Sequence, residues 1–312
     1  MNILPTGIAS LDFASGIGGI PTGSQVEIFG REAVGKSLLA YYILAEAQRR
    51  GHKCAYIDLE GTFESKWAKK TSGLSLADLD IATPDPGGEA VITLDEAVRS
   101  GEYKVILFDS LGCMVDDSEK DITTSRVGGT SKIITGMVNK INPLIRQSDC
   151  IVIYINQARD SFNSYGVGGA QEEAPGGRAK KHMCSMRIHL KPGEPLNYKG
   201  EKIGFRVKAK FIKNKKGAPN KVASWNVWNV PDPTNGVLGI DLLQDVIDTA
   251  RNEGIISQSG SWFTHPTFGD KPLQGTDKVT ELLRANPEKI EVIRNDVNNL
   301  AKRLYEEEKS DR

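Results

Sequence analysis

The stretch "GREAVGKS", Gly30 to Ser37, stands between the apolar run "VEIF" and the helical-looking run "LLAYYILAEA", and it restricts the fold more than any other part of the chain. A loop that turns its backbone N–H groups inward and feeds a helix N-terminus gathers partial positive charge where a polyphosphate can sit. The spacing G-x-x-x-x-G-K-[ST] suits that task. Gly30 and Gly35 permit the tight backbone path, Lys36 reaches the β- and γ-phosphates, and the Ser37 hydroxyl can ligate Mg²⁺. Arg31, Glu32, Ala33 and Val34 span the loop and Leu38 continues the helix, so all five count among the expected nucleotide contacts. The spacing predicts a strand over "QVEIF" and a helix from Ser37 to about Arg50, with Gly51 as its C-cap.

Past this unit the pattern alternates. "KCAYIDLE", "KVILFDS" and "CIVIYINQ" read as strands with helical stretches between them, which predicts an α/β fold with a mostly parallel sheet covered by helices. Ligands in such folds lie at the carboxyl ends of the strands. Glu60, Asp109 and Gln157 each stand at the end of one of these runs. Asp109 is the expected second metal contact, with a helix N-cap as its alternative role. Glu60 is the candidate for activating the attacking water, with Asp58 on the same strand as its rival. The Gln157 amide can bond a γ-phosphate and report its loss to the segment that begins just after it.

Two segments read as irregular: 119–132, "EKDITTSRVGGTSK", and 158–181, "ARDSFNSYGVGGAQEEAPGGRAKK". Glycine-rich connectors of this length inside a compact domain are usually functional or disordered. "RVKAKFIKNKKG", 206–217, alternates basic with apolar residues and reads as a strand with one basic face. Beyond "PDPTNG" come two amphipathic helical stretches with "SGSWFTH" between them as a short strand, so a core over 1–234 and a small C-terminal α/β domain over 235–312 are expected. At 39% hydrophobic and 26% charged the chain can bury a proper core, and its formal net charge of zero leaves polyanion binding to local patches. No apolar run approaches the ~20 residues that span a bilayer, the N-terminus lacks a secretory layout, and Cys54, Cys113, Cys150 and Cys184 are scattered without zinc spacing. A cytoplasmic protein with reduced thiols and no membrane partner is expected.

Taken together, "LPTGIASLD", "GREAVGKS", "YIDLEGTFESKWAKK", "LFDSLG", "YINQAR", "PGGRAKK" and "KNKKGAP" resemble the bacterial RecA recombinase family, in the family's order and over nearly the whole chain. The resemblance implies a RecA-type ATPase core and a small C-terminal domain. It also implies a DNA-dependent ATPase that assembles on single-stranded DNA with ATP and promotes pairing and strand exchange with homologous duplex DNA. It makes Lys36 and Ser37 the phosphate and magnesium contacts, Glu60 the catalytic carboxylate, Asp109 the second magnesium contact and Gln157 the γ-phosphate sensor. Trp67 falls where the family places an aromatic against adenine, and Glu64 where it has an acid near the base. Lys213 and Lys215 match paired lysines that reach the γ-phosphate bound by the adjacent subunit. The two irregular segments take the places of the DNA-binding loops, with Arg126, Val127 and Gly128 in the first and Arg159, Phe162, Tyr165, Gly176, Gly177 and Arg178 in the second.

The sequence also departs from the family. It begins almost at "LPTGIASLD", where the family carries a further N-terminal helix and strand that docks on the neighbouring subunit, so it reads as a short, divergent, phage- or mobile-element-type member. Arg31, Ala33 and Val34 replace the usual proline and serines, the second loop carries Glu172 and Glu173, and the end "YEEEKSDR" is short and mixed in charge. The leading expectation is a homo-oligomer, as a helical filament or a ring. A ring-forming motor and an ATP-gated regulator of another recombinase are the alternatives.

Overall fold

The computed structural model describes residues 2–115, 129–161, 171–173 and 183–310. In chain order its elements begin with β1 (Ile3–Leu4), α1 (Ala9–Ala14), β2 (Ile20–Pro21), β3 (Ser24–Gly30), α2 (Lys36–Arg49), β4 (Cys54–Asp58), α3 (Ser65–Ser72) and β5 (Leu79–Ala82). There follow α4 (Gly88–Ser100), β6 (Val105–Asp109), α5 (Gly129–Gln147), β7 (Ile151–Gln157), β8 (Arg159–Ser161), β9 (Gln171–Glu173), β10 (Met186–Tyr198), β11 (Glu201–Asn214) and β12 (Val222–Trp228). The chain closes with β13 (Gly239–Ile240), α6 (Leu242–Asn252), β14 (Ser257–Ser259), β15 (Trp262–Thr264), β16 (Leu273–Gln274), α7 (Thr276–Ala285) and α8 (Pro287–Ser310). These fall into two compact units: Met1–Leu4, Pro21–Lys191 and Lys210–Asn220 form the first, and Pro5–Ile20, Pro192–Ala209 and Lys221–Arg312 the second.

The first unit is built on the parallel strands β10, β3, β7, β6, β4 and β5, side by side in that order. Strands β3, β4 and β6 are buried along their whole length, as expected where helices cover both faces of a parallel sheet. Alternation divides their side chains. Ile106, Phe108, Val152 and Tyr154 face α4 and α5, which contribute Leu94, Val98, Ile134, Met137, Val138, Ile141 and Ile145 to one buried cluster. Each such side chain adds about 1.5–3 kcal/mol on leaving water. The opposite face, with Tyr56 and Asp109, lies under α2. That helix is apolar nearly all round, from Leu38 through Ala45, and is buried accordingly.

Four expectations change. Helix α5 starts at Gly129, so 129–132 are helical; its apolar stripe at Ile134, Met137, Val138 and Ile141 is anchored in the core and carries the helix back a further turn. Residues 159–161 and 171–173, expected to be irregular, pair as the antiparallel strands β8 and β9. Strand β4 ends at Asp58, which leaves Glu60 two residues beyond it. The Asp58 carboxylate accepts from the backbone N–H groups of Glu60 (3.2 Å), Gly61 (2.9 Å) and Phe63 (3.0 Å), and these bonds bend the chain off the sheet.

In the second unit, α6, α7 and α8 enclose Val246, Ile247, Val279, Leu283, Ile293 and Val297, and α1 adds Ala9. The stretch expected as one short strand there is a hairpin, β14 with β15, extended by β16. Asp241 caps α6 by accepting from Gln244 N at 3.1 Å.

Gly30 ends β3 as the register partner of Leu190 on β10, and a Cβ there would overlap the Leu190 carbonyl oxygen and stand 3.0 Å from Val34 Cγ1. Gly30→Ala should therefore destabilise the protein by about 1–3 kcal/mol through overpacking, read as a lower denaturant midpoint at unchanged slope. An unchanged midpoint contradicts this packing.

Candidate active site

The phosphate loop leaves β3 at Gly30 and enters α2 at Lys36. Two residues in it carry positive φ, Ala33 at 56° and Gly35 at 88°, so the backbone turns inward just before the helix. The first N–H groups of a helix have no partner within it. Here they open toward the loop, which Arg31, Glu32, Ala33 and Val34 span before Leu38, and with the helix dipole they give this turn the polarity that an anion favours. Lys36 bridges the loop, its Nζ donating to the Arg31 carbonyl oxygen at 2.7 Å. Burial lowers the Lys36 pKa, against the pull of the Asp109, Glu60 and Glu32 carboxylates.

Asp109, at the end of β6, is nearly enclosed. Its Oδ2 accepts from Ser37 Oγ at 2.8 Å and from Tyr56 OH at 3.2 Å. Burial is the main cause that raises its pKa to about 6, with Ser37 opposing and the Glu60 charge adding to the rise. A hydroxyl and a buried carboxylate short of positive charge, held together beside a phosphate cradle, suit a Mg²⁺ ion that takes its remaining ligands from phosphate and water. Among the described residues no cluster of three or more His, Cys, Asp or Glu side chains could hold a metal by itself. Glu60 stands beside this pair, and its Oε1 accepts from Ser110 Oγ at 2.5 Å. Asp58, committed to three backbone N–H groups, is bound up in holding the turn.

Gln157 ends β7 as the register partner of Gly30, and the next residue, Ala158, donates its N–H to the Gly30 carbonyl oxygen at 2.9 Å. The amide and the phosphate loop thus start from one rung of the sheet. Trp67 sits half-buried on α3, and Glu64 is exposed at that helix's N-cap. Lys213 lies near the end of β11, and Lys215 just beyond it donates its backbone N–H to Ser185 O at 2.9 Å. Ser185 is level with Gln25, five residues upstream of Gly30, so Lys215 starts about 17 Å along the strands from its own phosphate loop. Arg126, Val127, Gly128, Phe162, Tyr165, Gly176, Gly177 and Arg178 lie outside the described residues, as does the side chain of Arg159.

Sequence reasoning did not single out Ser110, Tyr56 or Asn156. Ser110 was discoverable as a hydroxyl next to the strand-end acid in "LFDS". Tyr56 and Asn156 sit inside apolar runs, where composition alone gives no sign of a polar role.

Comparison with known proteins agrees with this geometry. The family model of the RecA N-terminal domain matches residues 1–230, and that of the RecA C-terminal domain matches 244–302. The chain belongs to the RecA family. It is 36% identical over 301 residues to Protein RecA of Aquifex pyrophilus, covering 96% of this chain and 83% of that protein. It is 35% identical over 301 residues to Protein RecA of a Thermus thermophilus strain, with 95% and 85% covered. With Protein RecA of Bifidobacterium breve the identity is 35% over 299 residues, covering 95% and 73%. As a RecA-family protein it is a recombinase and a DNA-dependent ATPase that binds nucleotide and DNA. No helix among the described residues is long and apolar enough to cross a membrane.

The raised pKa of Asp109 has a measurable cost. Its folded value of about 6 lies above the ordinary value of 3.8, so this group's contribution to stability falls as pH rises through that window. In chelator and without nucleotide, Asp109→Asn should melt higher than the parent at pH 8, and the gain should fade as pH falls from 6 toward 4. An equal gain at every pH contradicts a charge origin.

Proposed function

We propose that this RecA-family protein hydrolyses ATP in the pocket built on Gly30–Ser37, assembles with copies of itself as a helical filament on single-stranded DNA, and pairs that strand with homologous duplex DNA. Residues 1–234 act as the ATPase and DNA-binding core, and residues 235–312 as the small C-terminal domain. The free, mostly buried cysteines fit a cytoplasmic setting.

Each residue has a physical task in this reading. Backbone amides of the loop and Lys36 hold the triphosphate, and Ser37 and Asp109 hold Mg²⁺. The metal supplies charge neutralisation of the phosphates. Glu60, steadied by Ser110, accepts the proton of the attacking water. Gln157 contacts the γ-phosphate and passes its presence to the segment that follows β7. Trp67 stacks on the base and Glu64 lies near it. Arg126, Val127 and Gly128, with Arg159, Phe162, Tyr165, Gly176, Gly177 and Arg178, supply cations, apolar wedges and close backbone approach for the strand.

The observation that carries the reading is the place of Lys215, the second of the paired lysines. Lys215 and Lys216 line a cleft of about 570 Å³ together with Arg146, Ser24, Ser148 and Ser185, at the amino ends of β3 and β10. Cations and hydroxyls in that arrangement suit a phosphate, yet the chain's own phosphate loop lies at the opposite ends of the same strands. The γ-phosphate of a neighbouring subunit is the natural partner. A cation delivered in trans favours the charge-dispersed transition state and ties hydrolysis to assembly.

Glu60→Gln should keep ATP affinity while lowering kcat by about 100-fold or more, measured by nucleotide binding and phosphate release. Turnover at the parental rate contradicts the assignment of the base. Replacing Lys213 and Lys215 together by alanine should lower turnover at unchanged ATP affinity, and normal turnover removes the trans cations.

A further inference from the structure

On the face of the sheet away from α2, polar side chains run in a line across four strands of the first unit. Gln157 donates its backbone N–H to Asn156 Oδ1 at 3.0 Å, and Asn156 Nδ2 donates to Glu27 Oε1 at 2.8 Å. The other carboxylate oxygen of Glu27 accepts from Arg187 Nε at 2.6 Å. Arg187 is the register partner of Glu27. Strand β11, which carries Lys213, is the next neighbour of β10, and beyond its end Lys215 N bonds to Ser185 O at 2.9 Å, just before β10 begins. The line thus begins at the γ-phosphate sensor of this subunit's pocket and ends at the lysine meant for the neighbour's.

The chemistry of the line is unusual for a core. Glu27 and Asn156 are 0% exposed and Arg187 7%. A buried ion pair is seldom more stable than an apolar packing of the same volume, so its presence here calls for another use. The Arg187 guanidinium is steadied from a second side by the ring of Phe29, whose centroid lies 4.9 Å away, and Phe29 in turn stacks on His189 at 4.6 Å. A charge so tightly held has one place to be. Burial is the main cause that lowers the pKa of Lys213, with the Lys215 charge next and the Arg187 charge a smaller contribution, so Arg187 lies within electrostatic reach of that ammonium.

We propose that Glu27 is a positioning residue that couples successive active sites: it holds Arg187, which sets Lys213 for the neighbouring subunit, and takes its own orientation from Asn156 and Gln157. When Gln157 engages a γ-phosphate, the rung that it shares with Gly30 moves the Asn156 amide, and Glu27 and Arg187 follow. ATP in one pocket thereby prepares the cation offered to the next. The inference rests on the trans role of Lys213 proposed above.

The test is a mixing experiment with the full chain on single-stranded DNA. Glu27→Gln alone should lose about 10–100-fold in kcat, with KM for ATP within about threefold of the parent. Glu60→Gln protein, which binds ATP, is inactive itself and keeps an intact Lys213, is then added in excess. Each Glu27→Gln pocket that meets such a neighbour should regain most of its turnover. A lesion that merely deforms the pocket is not repaired by a neighbour. Lys213→Ala protein, mixed in the same way, should also be rescued and serves as the reference. Rescue of Lys213→Ala without rescue of Glu27→Gln overturns the coupling and leaves the trans lysine standing. Failure of both to be rescued removes the trans role, and the coupling with it. Parental kcat in Glu27→Gln alone overturns the coupling outright. Asn156→Ala, which cuts the line one residue earlier and leaves the ion pair in place, carries the same expectations where Glu27→Gln does not fold.

Discussion

The parallel register of β3, β7, β6 and β4 is the constraint on which the rest depends. It sets Gly30 beside Gln157 and Asp109 beside Asp58, so the glycine-lysine loop, the Gln157 amide and the Asp109 carboxylate reach the same edge of the sheet from segments far apart in sequence. Hydrogen bonds along the ladder hold that alignment more firmly than the side chains could by themselves. The pleat then assigns each side chain a face. Asp109 and Gln157 fall on the side of α2 with the nucleotide cradle, while Glu27, Asn156 and Arg187 fall on the side of α5.

Burial has opposite consequences on the two faces. Under α2, Asp109 is enclosed with two hydroxyl donors, Ser37 and Tyr56, and its charged form is disfavoured until a cation arrives. The buried Asp109 charge costs stability there, a cost common where function needs unbalanced charge. On the α5 face, Glu27 is matched by Arg187 and Asn156, and the charge is balanced within the fold. One face waits for a ligand, whereas the other is complete and able to transmit. The two meet at the single rung formed by Gly30 and Gln157.

Much of this was legible in the sequence because it is local. "GREAVGKS" gives the loop and the start of α2 by spacing alone, and the runs ending at Asp109 and Gln157 mark strand ends by their switch from apolar to polar. Glu60 was singled out by the same switch, and Asp58, read as its rival, holds the bend with three backbone bonds. The line from Asn156 to Arg187 was not legible. Glu27 sits in "VEIF" and Arg187 in "MRIHL", where an isolated charge in an apolar run has no partner until the order of the strands is known. The grouping of residues 5–20 with the C-terminal segment is hidden for the same reason, since it follows from contacts between distant parts of the chain.

The central claim is that the hydrolytic site is completed by a neighbouring subunit on DNA. The most direct measurement is the rate of ATP hydrolysis per subunit, with and without single-stranded DNA, over a wide range of protein concentration. Shared sites predict a specific rate that DNA stimulates and that climbs with concentration until assembly is complete. A specific rate that is flat with concentration and indifferent to DNA contradicts the account.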